Sequence, residues 1–164
     1  MIRYATAADL DAVAALHAEA RATYYRGHLP ESAYAGPEEL ARTRAGWAGA
    51  IERGAVLCAE IDGEGGEGGE IAGIAAFGER DGVMVLTQLH VAPVHWRKGL
   101  GGALHAACVE AWRAAGATAV VLEVFEKNER AQAFYAAHGW APDPDSPRDG
   151  DHLVLRLTLA PETE

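Results

Sequence analysis

The spacing of apolar residues predicts two helices before the first long strand. Behind Thr6, which opens a capping box, apolar side chains recur at helical spacing and predict a helix that ends near Ala22. Residues 23–36 show no such spacing and are predicted to form a loop or a broken helix. A second helix is predicted from Pro37, which suits a first helical turn, to Gly54, which can close a helix in the left-handed conformation.

The remaining pattern alternates strands with two further helices. Runs rich in Val, Ile and Leu predict strands at residues 2–4, 55–61, 70–78, 83–91, 118–125 and 151–159. The further helices are predicted from about residue 99 to 115 and from Asn128, a natural N-cap, to His138. The order β-α-α-β-β-β-α-β-α-β predicts a mixed α/β fold, and we expect residues 1–164 to form a single domain.

Composition narrows the classes of function. The 164-residue chain carries a net charge of −10, which disfavours sequence-independent binding to nucleic acid because phosphate would be repelled. No uncharged apolar run approaches the roughly 20 residues of a membrane span, and acids stand where a secretory signal needs an apolar core. We therefore expect a cytoplasmic protein with no membrane contact, whose two cysteines are reduced and buried. The scattered histidines show no metal-ligand spacing, so no metal is expected.

Two glycine-rich strings compete as candidate ligand sites. GEGGEGG at 63–69 matches G-x-G-x-x-G by spacing, but its glutamates would repel phosphate, and a hairpin loop is predicted there. HWRKGLGGAL at 95–104 follows a strand and opens a helix, where unpaired amides and the helix dipole favour an anion. It lacks the third glycine of the dinucleotide fingerprint, where Leu104 stands, and it lacks the Gly-Lys-Ser/Thr of a P-loop. The second string therefore predicts a pyrophosphate site of another kind.

Two blocks resemble the GNAT superfamily of acyl-CoA-dependent N-acyltransferases. The first, LHVAPVHWRKGLGGALHAACVEAW, is similar to its pyrophosphate motif Gln/Arg-x-x-Gly-x-Gly/Ala, with Trp96 in the first slot. The second, LEVFEKNERAQAFYAAHGW, is similar to the motif Asn-x-x-Ala-x-x-Phe-Tyr-x-x-x-Gly-Phe, with Trp140 in place of Phe. The resemblance is strong over residues 85–141 and looser over the rest of residues 1–160.

The resemblance implies the GNAT fold and a site for acetyl-CoA as co-substrate. That fold has a central, mostly antiparallel sheet that splays between two parallel strands, here 83–91 and 118–125, with helices on both faces. Acyl-CoA lies between those strands, and main-chain groups of the first are expected to bind its pantetheine arm. The residues expected to bind the cofactor are Leu89, His90, Val91, Arg97, Lys98, Gly99, Leu100, Gly101, Gly102, Asn128, Ala131 and Tyr135.

The resemblance also implies an acid and a base. Tyr135 matches the position of the acid that protonates the leaving thiolate, and its phenol is protonated at neutral pH. Glu123, the one acid in an apolar strand, is a candidate base or amine anchor, or else a paired or edge-exposed carboxylate. His90, which shares a strand face with Gln88, is a second candidate base, or else a core or rim histidine.

The acceptor side is expected at Tyr24, Tyr25, Arg26 and His28, in the segment predicted as a loop. The favoured hypothesis is an N-acetyltransferase that transfers acetyl to a primary amine, on a small molecule or a peptide, by direct attack in a ternary complex. Alternatives are a non-catalytic acyl-CoA-binding or sensor domain on the same fold, and a nucleotide-binding module supported by the glycine turn alone. Homodimers are frequent in this superfamily, so a dimer is an expectation.

Overall fold

A computed structural model describes residues 1–62 and 69–159 of the chain. The hairpin loop predicted for GEGGEGG lies almost wholly outside these residues. The strands are β1 (Ile2–Tyr4), β2 (Val56–Ile61), β3 (Glu70–Arg80), β4 (Val83–Val91), β5 (Ala119–Phe125), β6 (Ala141–Pro142), β7 (Arg148–Asp149) and β8 (His152–Thr158). The α-helices are α1 (Leu10–Tyr25), α2 (Pro37–Glu52), α3 (Leu100–Ala114) and α4 (Glu129–Ala137), and short 3-10 turns cover Ala7–Asp9, Glu31–Ala33 and Pro93–His95.

The sequence pattern predicted most of these elements, with three differences. Helix α1 continues to Tyr25, so the segment predicted as a loop from residue 23 begins as helix. Strand β3 runs two residues beyond the predicted end and turns at Asp81-Gly82, where both residues have positive φ. The two-residue strands β6 and β7 were not predicted, since segments that short carry no periodicity of their own.

The chain folds as two compact units. The first contains Met1–Ala76 and Gln88–Cys108, and the second contains Phe77–Thr87 and Val109–Glu164. In the first unit the strands pair in the order β1-β2-β3-β4, and β1-β2 and β2-β3 are antiparallel. In the second unit the order is β3-β4-β5-β8-β6, and β7 pairs with β8. Met84 and Val85 of β4 pair in parallel with β5, as predicted, while β5 pairs antiparallel with β8 over its whole length. That residues 1–164 form one domain stays a prediction.

Helices cover both faces of the sheet in the first unit. Val13 and Leu16 of α1 and Trp47 and Ile51 of α2 pack in one buried cluster with β2 and β3 residues, among them Ile74. On the opposite face, the missing side chain of Gly73 lets α3 pack closely against β3, because a Cβ at this position would stand 2.7 Å from Cδ1 of the fully buried Leu104. The apolar stripe of each helix therefore positions the end of β4 and the start of α3, where the predicted ligand site lies.

The second unit is held by aromatic rings and by one face of β5. Trp112 of α3 is fully buried and meets Phe77 at 5.9 Å and Trp140 at 6.2 Å between ring centroids, both edge to face. Such pairs contribute about 0.5–1.5 kcal/mol each beyond the area they bury. Trp140, which replaces the Phe of the family motif, thus belongs to this core. Val120, Leu122 and Val124 of β5 are buried together with Leu155 and Leu157 of β8.

Candidate active site

The turn before α3 has the backbone of an anion site. Arg97 and Gly99 both adopt the left-handed conformation, with φ of 66° and 81°. For arginine that conformation is strained, and strain of this kind concentrates at functional sites. The Ala103 amide makes the first helical bond, to the Gly99 carbonyl at 3.1 Å. The amides of Leu100, Gly101 and Gly102 therefore belong to the first turn of α3 and have no acceptor within the helix, at the end where the helix dipole favours negative charge.

Trp96 anchors this turn to the end of β4. Its indole N–H donates to the Val91 carbonyl at 2.9 Å. The side chain in the first slot of the pyrophosphate motif is thus directed to the main chain, where the family pattern has Gln or Arg. Arg97 and Lys98 are exposed beside it, and Nζ of Lys98 lies 3.2 Å from Nδ1 of His95. Positive charge is available next to the free amides, although the motif's own polar residue is missing.

His90 lies within a cluster of rings in the first unit. Its Nε2 is 2.6 Å from Oε1 of Gln88, and its ring is 5.1 Å from that of His17 and 6.3 Å from that of Tyr24, with which it stacks. Burial lowers the pKa of His90 to about 3, with smaller contributions from His17 and the charge of Arg21. His90 is therefore uncharged at neutral pH.

His17 and Trp47 were not predicted as site residues. The Trp47 indole N–H donates to Nδ1 of His17 at 2.9 Å, and both side chains are buried. Burial first, and then the charge of Arg21, lower the pKa of His17 to about 4. The signal in the sequence was a histidine on the apolar stripe of α1, because a polar group at such a position needs a partner.

The predicted acceptor residues are divided between a helix and the chain that follows it. Tyr24 and Tyr25 belong to the last turn of α1, which ends three residues beyond the predicted end near Ala22, and their ring centroids are 4.5 Å apart. Arg26 and His28 follow the helix and are exposed. The helix extends this far because tertiary contacts support its last turn.

An ion pair holds the last turn of α1 against α2. Arg21 donates to Glu39 at 2.9 Å, Arg42 bonds the other carboxylate oxygen of Glu39, and the Arg21 guanidinium lies 5.5 Å from the centre of the Tyr25 ring. Glu39 is buried, so its charge needs these partners. The ion pair therefore positions the two tyrosines on the candidate acceptor side.

Glu123 is accessible to solvent and lies near a second acid. It is exposed on β5, opposite Val154 of β8. Partial desolvation raises the pKa of Glu123, and a hydrogen bond with Asp149 and that residue's charge raise it further, while His152 and Arg80 oppose the shift. The carboxyl therefore keeps its proton to a higher pH than an ordinary glutamate does. Asp149 was missed because it comes from β7, a strand that the sequence pattern did not predict.

Helix α4 carries the other two candidates of the second unit. Oδ1 of Asn128 accepts a hydrogen bond from the Ala131 amide at 3.2 Å, so the predicted N-cap is confirmed and this amide is already bonded. Tyr135 is 8% exposed, and its ring meets that of Trp140 at 5.8 Å, edge to face. Its ring is thus fixed by packing, as the positioning of a phenol requires.

A family comparison bears on the identity of this site. The model of the acetyltransferase (GNAT) family matches residues 13–140, more than half of the chain. The chain belongs to the acetyltransferase (GNAT) family. The matched range of this acetyltransferase includes the turn before α3, His17, His90 and helix α4.

Solved structures show the same fold at low sequence identity. The PaiA N-acetyltransferase from Thermoplasma acidophilum, solved with coenzyme A, is 18% identical, with a TM-score of 0.84 over 97% of this chain and 98% of that one. The ribosomal-protein-S18-alanine N-acetyltransferase from Escherichia coli is 20% identical, with a TM-score of 0.66 over 100% and 96%. A GNAT-family acetyltransferase from Listeria monocytogenes is 16% identical, with a TM-score of 0.69 over 97% and 94%. A search of curated proteins finds no match.

Within residues 1–62 and 69–159, no group of three or more His, Cys, Asp or Glu side chains is arranged to hold a metal ion. In the same part of the chain, no helix has the length and apolar character needed to cross a membrane.

His17, which is buried, and His90, which is half-buried, predict how the stability of the acetyltransferase depends on pH. Their pKa values lie near 4 and 3 in the folded protein, below the ordinary 6.5, so the unfolded chain binds more protons in this window. These histidines therefore leave the free energy of unfolding undiminished above about pH 6.5. As the pH falls toward their pKa values in the folded protein, the free energy of unfolding decreases by about 1.4 kcal/mol per pH unit for each histidine. Urea unfolding from about pH 5 to about pH 6 should show a rise of roughly 2–3 kcal/mol.

His17→Phe is the variant that isolates this effect. Phenylalanine fills a similar volume and does not titrate, so about half of the rise in unfolding free energy between those pH values should disappear. An unaltered slope in this variant would show that His17 binds its proton equally in the folded and unfolded states.

Proposed function

We propose that the protein transfers acetyl from acetyl-CoA to a primary amine by direct attack of the amine on the thioester. The observation that carries this proposal is the membership of the acetyltransferase family together with a strained glycine turn at the start of α3. The amides of Leu100, Gly101 and Gly102 are proposed to hold the coenzyme A diphosphate, with support from Arg97 and Lys98. We further propose that main-chain groups of Leu89, His90 and Val91 bind the pantetheine arm.

His90 is proposed as the proton acceptor. The amine attacks as its neutral form, and its nitrogen becomes strongly acidic once the C–N bond forms, so an uncharged imidazole can remove the proton at that stage. Oε1 of Gln88 can only accept, which assigns the His90 proton to Nε2 and leaves the lone pair on Nδ1. Among the described residues, no hydrogen bond to that Nδ1 is found. The lone pair is therefore available to the substrate, directly or through water.

Glu123 and Tyr135 complete the proposed chemistry. Glu123 is proposed to bind the incoming ammonium, because an exposed carboxylate beside Asp149 concentrates negative charge on β5. Tyr135 is proposed to donate its phenolic proton to the leaving thiolate, while Asn128 and Ala131 at the start of α4 contact the acyl-CoA arm. Tyr24, Tyr25, Arg26 and His28 are proposed to contact the acceptor. The balance of the reaction is one C–N bond formed, one C–S bond broken and one proton passed from nitrogen to sulfur.

Release of free thiol from acetyl-CoA, measured with a panel of primary amines and with peptides of free N-terminus, tests this function. We expect amine-dependent thiol release and an acetylated amine identified by mass spectrometry. His90→Gln should lower kcat about 10²- to 10⁴-fold, as loss of a general base does, whereas Glu123→Gln should act mainly on the KM of the amine. Tight coenzyme A binding without turnover on any amine would instead favour an acyl-CoA-binding domain that is not catalytic.

A further inference from the structure

The buried pair of His17 and Trp47 has no evident need to be polar. The two residues lie thirty positions apart, on α1 and α2, and join through one hydrogen bond of 2.9 Å. His17 is 4% exposed and Trp47 is 4% exposed. Two buried groups that satisfy only each other can be replaced by apolar groups of the same shape with little loss of stability. Packing in the α1-α2 core therefore does not explain a histidine at this position.

The hydrogen bond determines where the proton of His17 lies. An indole N–H can only donate, so Nδ1 of His17 must be the unprotonated nitrogen and Nε2 carries the hydrogen. The same bond fixes the plane of the imidazole, since the indole is edge-on to it at 5.4 Å and 73°. His17 is thereby an oriented, uncharged ring with a single tautomer.

This oriented ring faces His90. The ring centroids of the two histidines are 5.1 Å apart, with 38° between the planes. Tyr24 also stacks on the His90 ring, and Gln88 bonds its Nε2. The charged group whose field reaches both imidazoles is Arg21 of α1, which is paired to Glu39 of α2. Protonation of either imidazole would thus place a second positive charge in the field of the Arg21 guanidinium.

We propose that His17, held by Trp47, is a positioning residue that packs against the His90 ring and keeps its Nδ1 lone pair directed to the acceptor amine. This inference rests on the proposed role of His90 and adds a chain of three side chains, Trp47 to His17 to His90, from α2 to β4. His17 and Trp47 touch neither substrate nor cofactor in this account, and they act through His90 alone.

The test compares three variants with the wild-type chain. Trp47→Phe keeps a ring and removes the donor, so His17 can take either tautomer. His17→Phe removes the imidazole, and the double variant with Phe at both positions leaves no buried polar group unpaired, which protects the fold where a single substitution does not. Nitrogen-15 spectra of the His90 ring in the free protein report its tautomer and its titration without any need for turnover.

The expected result is a change at His90 in every variant. In the wild type, the ring should show one tautomer with the proton on Nε2, set by the bond to Gln88. In the variants, a His90 ring that is no longer held against His17 should bond Gln88 less regularly and be better hydrated, so a mixture of tautomers and a higher titration midpoint are expected. In turnover assays, the acidic limb of the kcat/KM profile should move up by the same amount, while the KM for acetyl-CoA stays constant. His90→Gln should erase the difference between the wild-type and double-variant backgrounds.

Two results would overturn the proposal. The first is an unaltered His90 spectrum and titration in the folded double variant, which would reduce His17 and Trp47 to packing. The second is a changed spectrum with an unaltered pH profile of turnover, which would show that the pair does not act on the reaction. If no amine is turned over, the proposed function fails, and the spectra still decide whether His17 positions His90.

Discussion

Tyr135→Phe should lower kcat by about 10²- to 10⁴-fold, the range found for a lost general acid. The substitution removes one hydroxyl from a ring that is 8% exposed and held edge to face by Trp140. The phenylalanine ring can keep the same packing, so the fold and the KM for acetyl-CoA should change little. The loss falls on kcat because the phenolic proton is needed when the C–S bond breaks and thiolate charge develops. Steady-state kinetics with an identified amine, beside thermal unfolding, measures both effects.

Tyr34→Phe is the matched control for this prediction. Tyr34 is 5% exposed, similar in burial to Tyr135, and no part of the chemistry is assigned to it. Its substitution should leave kcat within about twofold. If Tyr135→Phe and Tyr34→Phe show equal, small effects on kcat, Tyr135 is a packed core residue and the thiolate is protonated by another group or by water.

Gly101→Glu should abolish the binding of coenzyme A while the fold becomes no less stable. A carboxylate about 5 Å from a diphosphate costs on the order of 3 kcal/mol at an effective dielectric constant of 20, a loss of at least 100-fold in affinity. The same substitution removes a helical glycine and adds an acid to the first turn of α3, and each change favours the helix by several tenths of a kcal/mol or more. Ligand affinity and stability should therefore move in opposite directions. Calorimetric titration with coenzyme A and thermal unfolding without ligand measure the two.

Ala106→Glu controls for the added charge. Ala106 is exposed on the same helix, beyond its first turn, so the variant has the same net charge and loses only a little helix propensity, since glutamate ranks just below alanine. It should bind coenzyme A within about threefold of the wild type, because exposed charges beyond the first turn are screened. Equal affinity in both variants would place the diphosphate away from the amides of α3.

Local signals in the sequence determined the elements and the turn that is proposed to hold an anion. Strand β4 was predicted with its observed bounds, because its apolar run begins after the turn Asp81-Gly82 and ends before Pro93. The N-cap at Asn128 was predicted equally well, since a cap needs only residues three positions apart. The turn before α3 belongs to the same class, as its amides and its left-handed residues all lie within a few positions of Gly99. Such features depend on backbone preference and short spacing, which a sequence shows directly.

The surroundings of the candidate acid and bases were decided by the tertiary structure. The sequence left open whether Glu123 is a base, an amine anchor or a paired or edge-exposed carboxylate, and its neighbour Asp149 comes from a strand too short to predict. Tyr24 and Tyr25 were expected in a loop or a broken helix, and the ion pair of Arg21 with Glu39 supports them as the last turn of α1. The environment of a side chain depends on which segments fold against it, and its own segment does not encode that.

What the sequence by itself determined is the family, the order of strands and helices, and the turn proposed to hold a diphosphate, because each is written in residues that are neighbours along the chain. What only the tertiary structure decided is the protonation and the hydrogen-bond partners of the candidate catalytic side chains. The hydrogen bond from Trp47 to His17 and the ring contact from His17 to His90 join residues thirty and seventy-three positions apart. Burial and contacts between residues that are far apart along the chain set the charge of a histidine, and both exist only once α1, α2 and β4 have packed together.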